Sequence, residues 1–368
     1  MIIINKLTKI ISAYLNMELI DKIRISHSAI TDFNNCPRLY YFKSIYRNPK
    51  TGNRIQIVNP YLSLGLAVHE TIDELIDIAP SKRVNKKLSK RFEKIWQNYS
   101  GKIGGFTSKK QEEIFKKRGH LMIKKIEGSA ILSKRSLKKE KDFPKIELSD
   151  DMNLIGNFDW IELMKDGSLH IIDFKTGKSK EKNDSLQLPI YQVLAEKNYN
   201  RKVKKLSYWY LEKDTKLTTK KIISTNKCLD IINKKANEIK NSIESRSFGC
   251  SSKYRKCFYC KNYETILSGK AEYLDTKNER DLYYLANSKD LLDKIYEESF
   301  LNNKEKEIVC MKMNNITMDE TRETLNISKI EIKKSVESIK IKLKENLEQK
   351  ELKIFIEELL KKENKFDA

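Results

Sequence analysis

Glycine-rich phosphate loops are missing from this sequence. None of its 368 residues falls in a G-x-G-x-x-G or G-x-x-x-x-G-K-[ST] pattern, although the chain has 12 glycines. Loops of those two kinds let the backbone approach a nucleotide phosphate closely. Their absence argues against a dehydrogenase and against a kinase.

Cysteine is also scarce, with six in the whole chain. A chain of this length with so few cysteines is not a disulfide-rich secreted scaffold. Most of the six stand close together in the sequence, and such clustering is typical of metal ligation in a reducing cell interior. We therefore expect a cytoplasmic protein.

No hydrophobic run is long enough to cross a bilayer. The first twenty residues are moderately apolar, but Lys6, Lys9, Asn16 and Glu18 interrupt them. They also lack the basic start and the small-residue cleavage site of a signal peptide. We expect no membrane partner, and we treat residues 1–24 as an N-terminal extension.

Positive charge is what the sequence has in excess. It carries 73 lysines and arginines against 51 acidic residues, a formal net charge of +22. Such an excess favours a polyanionic partner, most simply nucleic acid. A lysine-rich genome would also produce it, so the charge alone does not decide the function. Hydrophobic residues make up 39% of the chain, and its length predicts two or three modules.

A predicted β-hairpin occupies the middle of the chain. Its strands cover residues 157–162 and 169–177, and an Asp-Gly turn joins them. Because side chains alternate along a strand, Asp173 and Lys175 share one face while their neighbours point into a core. Asp159, on the first strand, can lie beside Asp173. The hairpin therefore brings two carboxylates and an ammonium to one strand end.

This combination of groups suits metal-assisted chemistry on a phosphate. Carboxylate oxygens are the ligands that Mg²⁺ prefers. A lysine beside the ion can hold an anionic phosphate or the water that attacks it. The alternative is a solvated sheet face with a salt bridge that contributes little to stability.

The rest of the chain predicts helices around a mixed sheet, which is an α/β fold. Ser28 is the predicted N-cap of the first helix. His69 lies at the edge of an apolar helical stripe in residues 61–78, and Gln187 and Tyr191 share one face of a later helix. Further predicted elements are basic helices in 82–136, strands at 143–148, 203–211 and 220–224, and a helix at 228–245.

His69, Asp159, Asp173-Phe174-Lys175, Gln187 and Tyr191, in that order, resemble the PD-(D/E)xK nuclease superfamily, specifically its RecB-like branch. Similar stretches extend the resemblance over residues 25–266. That branch includes the nuclease domains of bacterial recombination complexes and of CRISPR-adaptation exonucleases. The resemblance implies a restriction-endonuclease-like mixed sheet flanked by helices.

The resemblance also implies a role for each of these residues. His69, Asp159, Asp173 and the backbone carbonyl of Phe174 would bind one or two Mg²⁺ or Mn²⁺ ions. Lys175 would position the water and stabilise charge on the phosphate. The remaining two catalytic candidates, Gln187 and Tyr191, would orient the site or the DNA backbone.

Members of this branch often carry a 4Fe-4S cluster held by one early cysteine and three late ones. Cys36 matches the early position, and Cys257 and Cys260 match the late pair. The usual last cysteine is absent, but Cys250 offers a fourth thiolate from upstream. Four thiolates suit an iron–sulfur cluster or zinc, and a site without metal is the third alternative. Cys228 and Cys310 are predicted to be ordinary buried residues.

From about Glu272 the chain is predicted to be entirely helical. Residues 316–328 resemble the helix-turn-helix of sigma-factor region 4, with Ser328 capping its second helix. Arg322 departs from that pattern, because the family keeps a small residue there. A plain helical bundle that docks a partner is the alternative, and residues 344–368 are predicted to form a charged helical tail.

These observations predict three parts: residues 1–24, a nuclease domain with its cysteine staple at 25–268, and a C-terminal all-α module at 269–368. We expect a metal-dependent DNA nuclease of repair, recombination or processing, with a helicase or another repair protein as a partner. The alternative is a catalytically silent DNA-binding scaffold. The oligomeric state is left open.

Overall fold

The computed structural model describes residues 22–83, 86–137, 144–177, 180–251, 257, 259–285, 300–313 and 318–346. The predicted N-terminal extension up to residue 21, Phe143, Thr317 and the charged tail beyond Asn346 lie outside the described residues. The side chain of Cys310 does as well.

Ten strands are described: β1 Ile23–Ile25, β2 Arg54–Ile57, β3 Lys145–Ser149, β4 Met152–Ile155, β5 Trp160–Leu163, β6 Leu169–Lys175, β7 Val203–Tyr210, β8 Thr218–Lys220, β9 Glu272–Lys277 and β10 Arg280–Tyr284. The α-helices described are α1 His27–Asn35, α2 Pro37–Tyr40, α3 Pro60–Asp73, α4 Pro80–Arg83, α5 Leu88–Trp96, α6 Lys109–Glu127, α7 Gln187–Tyr199, α8 Thr225–Glu244, α9 Lys261–Leu267, α10 Asn303–Met313, α11 Met318–Leu325 and α12 Lys329–Asn346. Short 3-10 and π segments connect several of them.

The central sheet has the order β5-β6-β7-β8. Strands β5 and β6 form the predicted antiparallel hairpin, with Trp160 opposite Ile172, and Gly167 adopts the left-handed φ of 79° in its turn. Strand β7 runs parallel to β6. Residues Leu169 to Phe174 of β6 are all buried, as expected for a strand covered on both faces.

Two helical layers cover this sheet. Ile171 packs on one side with residues of α1, α7 and α8. Ile172 and Phe174 pack on the other side with α3, α5 and α6, which confirms that these two side chains point into a core. The predicted α/β class, a mixed sheet flanked by helices and followed by C-terminal helices, is confirmed.

The prediction that all residues from Glu272 are helical is wrong for residues 272–284. These form the hairpin β9–β10, and β10 pairs in parallel with β2. Asn278 and Glu279 both have positive φ, at 51° and 57°, and such a two-residue turn matches the twist of a hairpin. The tyrosines of these strands favour extended backbone. The lack of glycine and proline in this segment favoured the prediction of a helix instead.

Smaller corrections concern element ends. The N-cap of α1 is Ser26, whose hydroxyl accepts a hydrogen bond from the amide of Ala29 at 3.1 Å. Ser28 lies inside the helix and hydrogen-bonds the Ser26 hydroxyl instead. The strand predicted at residues 220–224 is shifted, because β8 ends at Lys220.

The C-terminal helices follow the predicted pattern where they are described. Asn326 adopts φ 49° between α11 and α12. Ser328 and Glu331 then exchange hydrogen bonds as a capping box at the start of α12. Ile332, Ile339 and Leu343 are buried along α12. Whether this module is a helix-turn-helix stays a prediction. Among the described residues, no helix is long and apolar enough to span a membrane.

Candidate active site

The hairpin places its two aspartates next to each other. Asp159 directly precedes β5, and continuing the pairing of Trp160 with Ile172 sets it opposite Asp173. The Asp159 carboxylate accepts a hydrogen bond from the amide of Phe174 at 2.8 Å. This contact ties the start of one strand to the end of the other, so the alternation argument and the structure agree here.

Helix α3 brings the histidine to the first aspartate. His69 Nδ1 lies 3.1 Å from Asp159 Oδ1. One turn earlier the helix lies beside the end of β6, because a Cβ at Gly65 would be in van der Waals contact with Thr176 Oγ1, at 3.4 Å. Burial disfavours the charged imidazole, but the attraction and hydrogen bond of Asp159 outweigh it and raise the pKa of His69 to about 9. Burial likewise opposes ionisation of Asp159, yet His69 keeps the pKa of this carboxyl lowered.

Asp173 is almost fully buried, at 2% exposed. Burial and the neighbouring Asp159 charge together raise the pKa of Asp173 to about 7. Its Oδ1 accepts a hydrogen bond from Gln187 Nε2 at 2.8 Å. Its Oδ2 has no hydrogen bond of good geometry with the described residues, and has only the Lys175 ammonium as an ion-pair neighbour, at 3.1 Å. A buried carboxylate oxygen left in this state is suited to binding a cation.

Lys175 lies between three acceptors. Its ammonium contacts Asp173, Glu181 at 3.0 Å and the side-chain oxygen of Gln187. Gln187 also reaches the Tyr191 hydroxyl at 3.3 Å, so the predicted pair on α7 is part of the same network. Burial opposes the ammonium, but Asp173 and Glu181 raise the pKa of Lys175 above its ordinary value. These three contacts hold the ammonium among two carboxylates and one amide oxygen.

Sequence reasoning missed Glu181 and its neighbours. Lys175 outweighs the effect of burial on Glu181 and lowers the pKa of that carboxyl. The Glu181 amide donates to the Tyr210 hydroxyl at 2.9 Å, while Ser185 lies between Glu181 and the half-buried His27, whose Nε2 is 3.3 Å from the Ser185 hydroxyl. A polar loop between two elements has no periodicity, so nothing local distinguished Glu181 from its solvated neighbours.

The four predicted cysteine ligands do come together. The sulfur atoms of Cys36, Cys250, Cys257 and Cys260 all lie within 4.8 Å of one another. Cys250 is 4.0 Å from Cys36 and 3.8 Å from Cys260. The set could hold a metal ion. Cys228 is fully buried elsewhere, in the core between the sheet and α8.

The candidate metal ligands on the hairpin and on α3 are less compact. Among the described residues, the cysteines are the set whose ligand atoms lie within 4.8 Å of one another, and His69, Asp159 and Asp173 do not form so tight a group. Binding one ion at all three would draw these side chains closer together. It would also displace the proton that His69 shares with Asp159, because a ligand imidazole must be neutral.

A mixed sheet that presents Asp159 and the Asp-x-Lys motif of Asp173 and Lys175 at neighbouring strand ends points to a class, the nucleases. The model of the PD-(D/E)XK nuclease superfamily matches residues 24–264, well over half of the chain. The protein therefore belongs to the PD-(D/E)XK nuclease superfamily. A comparison with curated proteins finds no match.

Proposed function

We propose that this protein is a Mg²⁺- or Mn²⁺-dependent deoxyribonuclease that hydrolyses phosphodiester bonds. The observation that carries the proposal is the buried Asp173 carboxylate, which has one oxygen without a good hydrogen bond and lies between the Lys175 ammonium and Asp159. His69, Asp159 and Asp173, with the carbonyl of Phe174, would hold the ion. The ion would lower the pKa of a water molecule and stabilise negative charge on the phosphate.

The other residues of the network would act on the substrate and the water. Lys175 would release one of its three acceptors and donate that hydrogen bond to the attacking water or to a phosphate oxygen. Gln187 hydrogen-bonds both the Lys175 ammonium and Asp173 Oδ1. It would therefore hold these two groups in place while Lys175 changes its hydrogen-bond partner. Tyr191 in turn would fix the orientation of Gln187.

A finer assignment rests on the order of the motifs and on the group of four cysteines, Cys36, Cys250, Cys257 and Cys260. Both support the RecB-like branch and a role in DNA repair, recombination or processing, with a helicase or another repair protein as a partner. The C-terminal helices would serve as an accessory DNA- or protein-docking module.

We further propose that the cysteines hold one structural zinc ion. Around a tetrahedral ion with metal–sulfur bonds of about 2.3 Å, neighbouring sulfurs lie roughly 3.8 Å apart. Two of the six sulfur–sulfur separations, 3.8 and 4.0 Å, are close to that value, and all six lie within 4.8 Å. A four-iron cluster needs its cysteines farther apart because the iron–sulfur core lies between them.

The proposed function is tested by incubating purified protein with end-labelled single-stranded DNA, duplex DNA and RNA. We expect cleavage of DNA that requires Mg²⁺ or Mn²⁺ and stops in EDTA. No cleavage of any substrate, together with metal-independent and salt-sensitive DNA binding, would favour the alternative of a silent DNA-binding scaffold.

The Lys175→Met variant is expected to cleave at least about 100-fold more slowly than the wild type, because the group that stabilises charge on the phosphate is lost. Single-turnover rates would measure the loss, with circular dichroism at the assay temperature to check folding. Lys204→Met is the control, since Lys204 pairs with Asp166 on the surface. Equal rates for Lys175→Met and the control would contradict the role of Lys175.

The Glu181→Gln variant is expected to lower kcat about tenfold at an unchanged KM, because the Lys175 ammonium loses a charged acceptor that helps to fix its position. The variant keeps the size of the side chain and one oxygen acceptor. Glu93→Gln, which removes a carboxylate paired with Lys116, is the matched control. A rise in KM with unchanged kcat would show that Glu181 acts on substrate binding instead.

A further inference from the structure

A large cleft lies beside the candidate active site. Its volume is about 1840 Å³, and its lining includes Gly156 and Asn157, which lead directly into Asp159. Eight lysines and arginines line it against two carboxylates, those of Asp32 and Glu279. The cleft is therefore a positively charged groove that extends to the residues before the catalytic hairpin.

Three of the eight cations in the cleft lining form ion pairs with carboxylates of the protein. Lys22 pairs with Glu147, Lys43 with Asp32, and Arg118 with Glu212. The positive charges of these residues are balanced within the protein. Arg47 donates hydrogen bonds to three backbone carbonyls of its own segment, which leaves three other arginines in the lining.

Arg24, Arg54 and Arg280 form that group, which we call the arginine cluster. Arg54 on β2 and Arg280 on β10 are direct partners across the parallel strand pair. Like charges set opposite each other destabilise a sheet. Burial lowers the pKa of Arg54, and Arg47, Arg280 and Arg24 lower it further, with Glu279 opposing them. Arg54 is therefore close enough to both Arg24 and Arg280 to feel their positive charges.

No carboxylate among the described residues lies within ion-pair distance of Arg24, Arg54 or Arg280. Arg280 donates a hydrogen bond to the neutral side chain of Gln56 at 3.1 Å. Glu279 offsets part of the repulsion on Arg54, but none of the three guanidinium groups forms an ion pair within the described part of the protein. An external anion would offset the repulsion that remains and would accept the hydrogen bonds of these guanidinium groups.

The wall that carries the cluster is firmly fixed. Asp281, next to Arg280, is fully buried. Its carboxylate accepts hydrogen bonds from Asn48 at 2.6 Å, Thr51 at 2.6 Å and Asn53 at 3.0 Å. These contacts tie the β9–β10 hairpin to the loop before β2, so the backbone positions of Arg54 and Arg280 stay paired.

We propose that the arginine cluster is a phosphate-binding site that holds a nucleic-acid strand in the cleft leading to the catalytic hairpin. The inference rests on the proposed nuclease function and extends it. Guanidinium groups bind phosphate oxygens through paired hydrogen bonds. Arg24 and Arg54 lie within residues 24–264, which the superfamily match covers, whereas the hairpin that supplies Arg280 lies beyond it.

The test measures binding without cleavage. Fluorescence anisotropy in EDTA would give the Kd of a labelled single strand and of a labelled duplex between about 50 and 300 mM salt. For the double variant Arg54→Ala/Arg280→Ala we expect a Kd at least about tenfold higher, and a salt dependence reduced by about 0.7 per arginine on a single strand. Arg135→Ala, which removes an exposed arginine outside the cleft lining, should change little.

Two further measurements separate the possible outcomes. Removing the opposed charges should leave the thermal midpoint of the double variant equal to or above that of the wild type, so a loss of DNA binding cannot be ascribed to unfolding. Pyrophosphate, a free phosphate probe, should raise the midpoint of the wild type and not of the variant. Wild-type affinity for DNA in the double variant would overturn the inference. Loss of affinity in a protein that cleaves no substrate would keep the arginine site and reject the nuclease function.

Discussion

Replacing Asp173 by asparagine is expected to reduce DNA cleavage by at least about 1000-fold while leaving the fold intact. Asparagine keeps the size of the side chain and its contact with Gln187, but it removes the negative charge that the proposed ion requires. The measurement is single-turnover cleavage with saturating Mn²⁺. Activity within about tenfold of the wild type would contradict the role of Asp173 as a metal ligand.

The same variant has a predictable effect on stability without metal. The folded-state pKa of Asp173, about 7, lies above the ordinary value of 3.8. The folded protein therefore binds more protons than the unfolded chain between these values, and the Asp173 contribution to stability declines as pH rises through that window. Asparagine cannot ionise, so we expect its thermal midpoint in EDTA to exceed that of the wild type at pH values above about 7. The difference should shrink toward acid pH.

Asp166→Asn is a control in the same hairpin, because the pKa of Asp166 is shifted in the opposite direction to that of Asp173. Lys204 and Ser168 hydrogen-bond Asp166 and lower the pKa of that carboxyl. Its stabilising contribution is present above the ordinary pKa and is lost as pH falls below it, so Asp166→Asn should not gain stability at alkaline pH. A gain in both variants would show that the effect is not specific to the buried Asp173.

The local parts of this site could be predicted from the sequence. Strand alternation placed Asp173 and Lys175 on one face, and the turn at Gly167 set Asp159 beside them. Each of these inferences needed only the period of a strand and the chemistry of one turn. His69 and the cysteines were found differently, through a resemblance, because no local pattern specifies which distant segments meet.

The parts that could not be predicted depend on contacts between distant segments. Gln56 and Arg280 are 224 positions apart and become neighbours only through the pairing of β2 with β10. Glu181 became part of the site because its loop folds back over Lys175. For both Arg280 and Glu181, the residue type alone gave no indication of a role, because the chain is rich in charged residues. The role of each depends on which distant segments the tertiary structure brings together.

The cysteine cluster depends both on ligands that are close in the sequence and on one that is distant. Cys36 follows α1, while the other three ligands come from the segment leading into α9. Leu39, Phe42, Ile55 and Tyr263 are buried around them in a small separate core. That core is too small to be stable by itself, so a metal bound by the thiolates would supply much of its folding energy.

Replacing Cys36 by alanine is therefore expected to release the bound metal and to lower the thermal midpoint by about 10 °C or more. The matched control is Cys228→Ala, because Cys228 is equally buried, at 0% exposed, but lies outside the cluster. Loss of one buried sulfur atom there should cost only about 1 kcal/mol, or a few degrees. Equal shifts in the two variants would show that the cysteines act only as small hydrophobic residues. Metal analysis of the wild type should find about one zinc per chain, whereas iron with visible absorbance would establish the iron–sulfur alternative.

The Cys36→Ala variant also separates the effect of the cysteine core on DNA binding from the effect of the catalytic site on cleavage. Ile55 of β2 belongs to the cysteine core, and its neighbour Arg54 faces the cleft. Loss of the metal should therefore loosen β2 and weaken DNA binding in EDTA, although His69, Asp159 and Asp173 remain unchanged. Asp173→Asn should do the reverse, keeping affinity for DNA and losing cleavage. If Cys36→Ala kept full affinity for DNA, the wall of the cleft would not depend on the cysteine site.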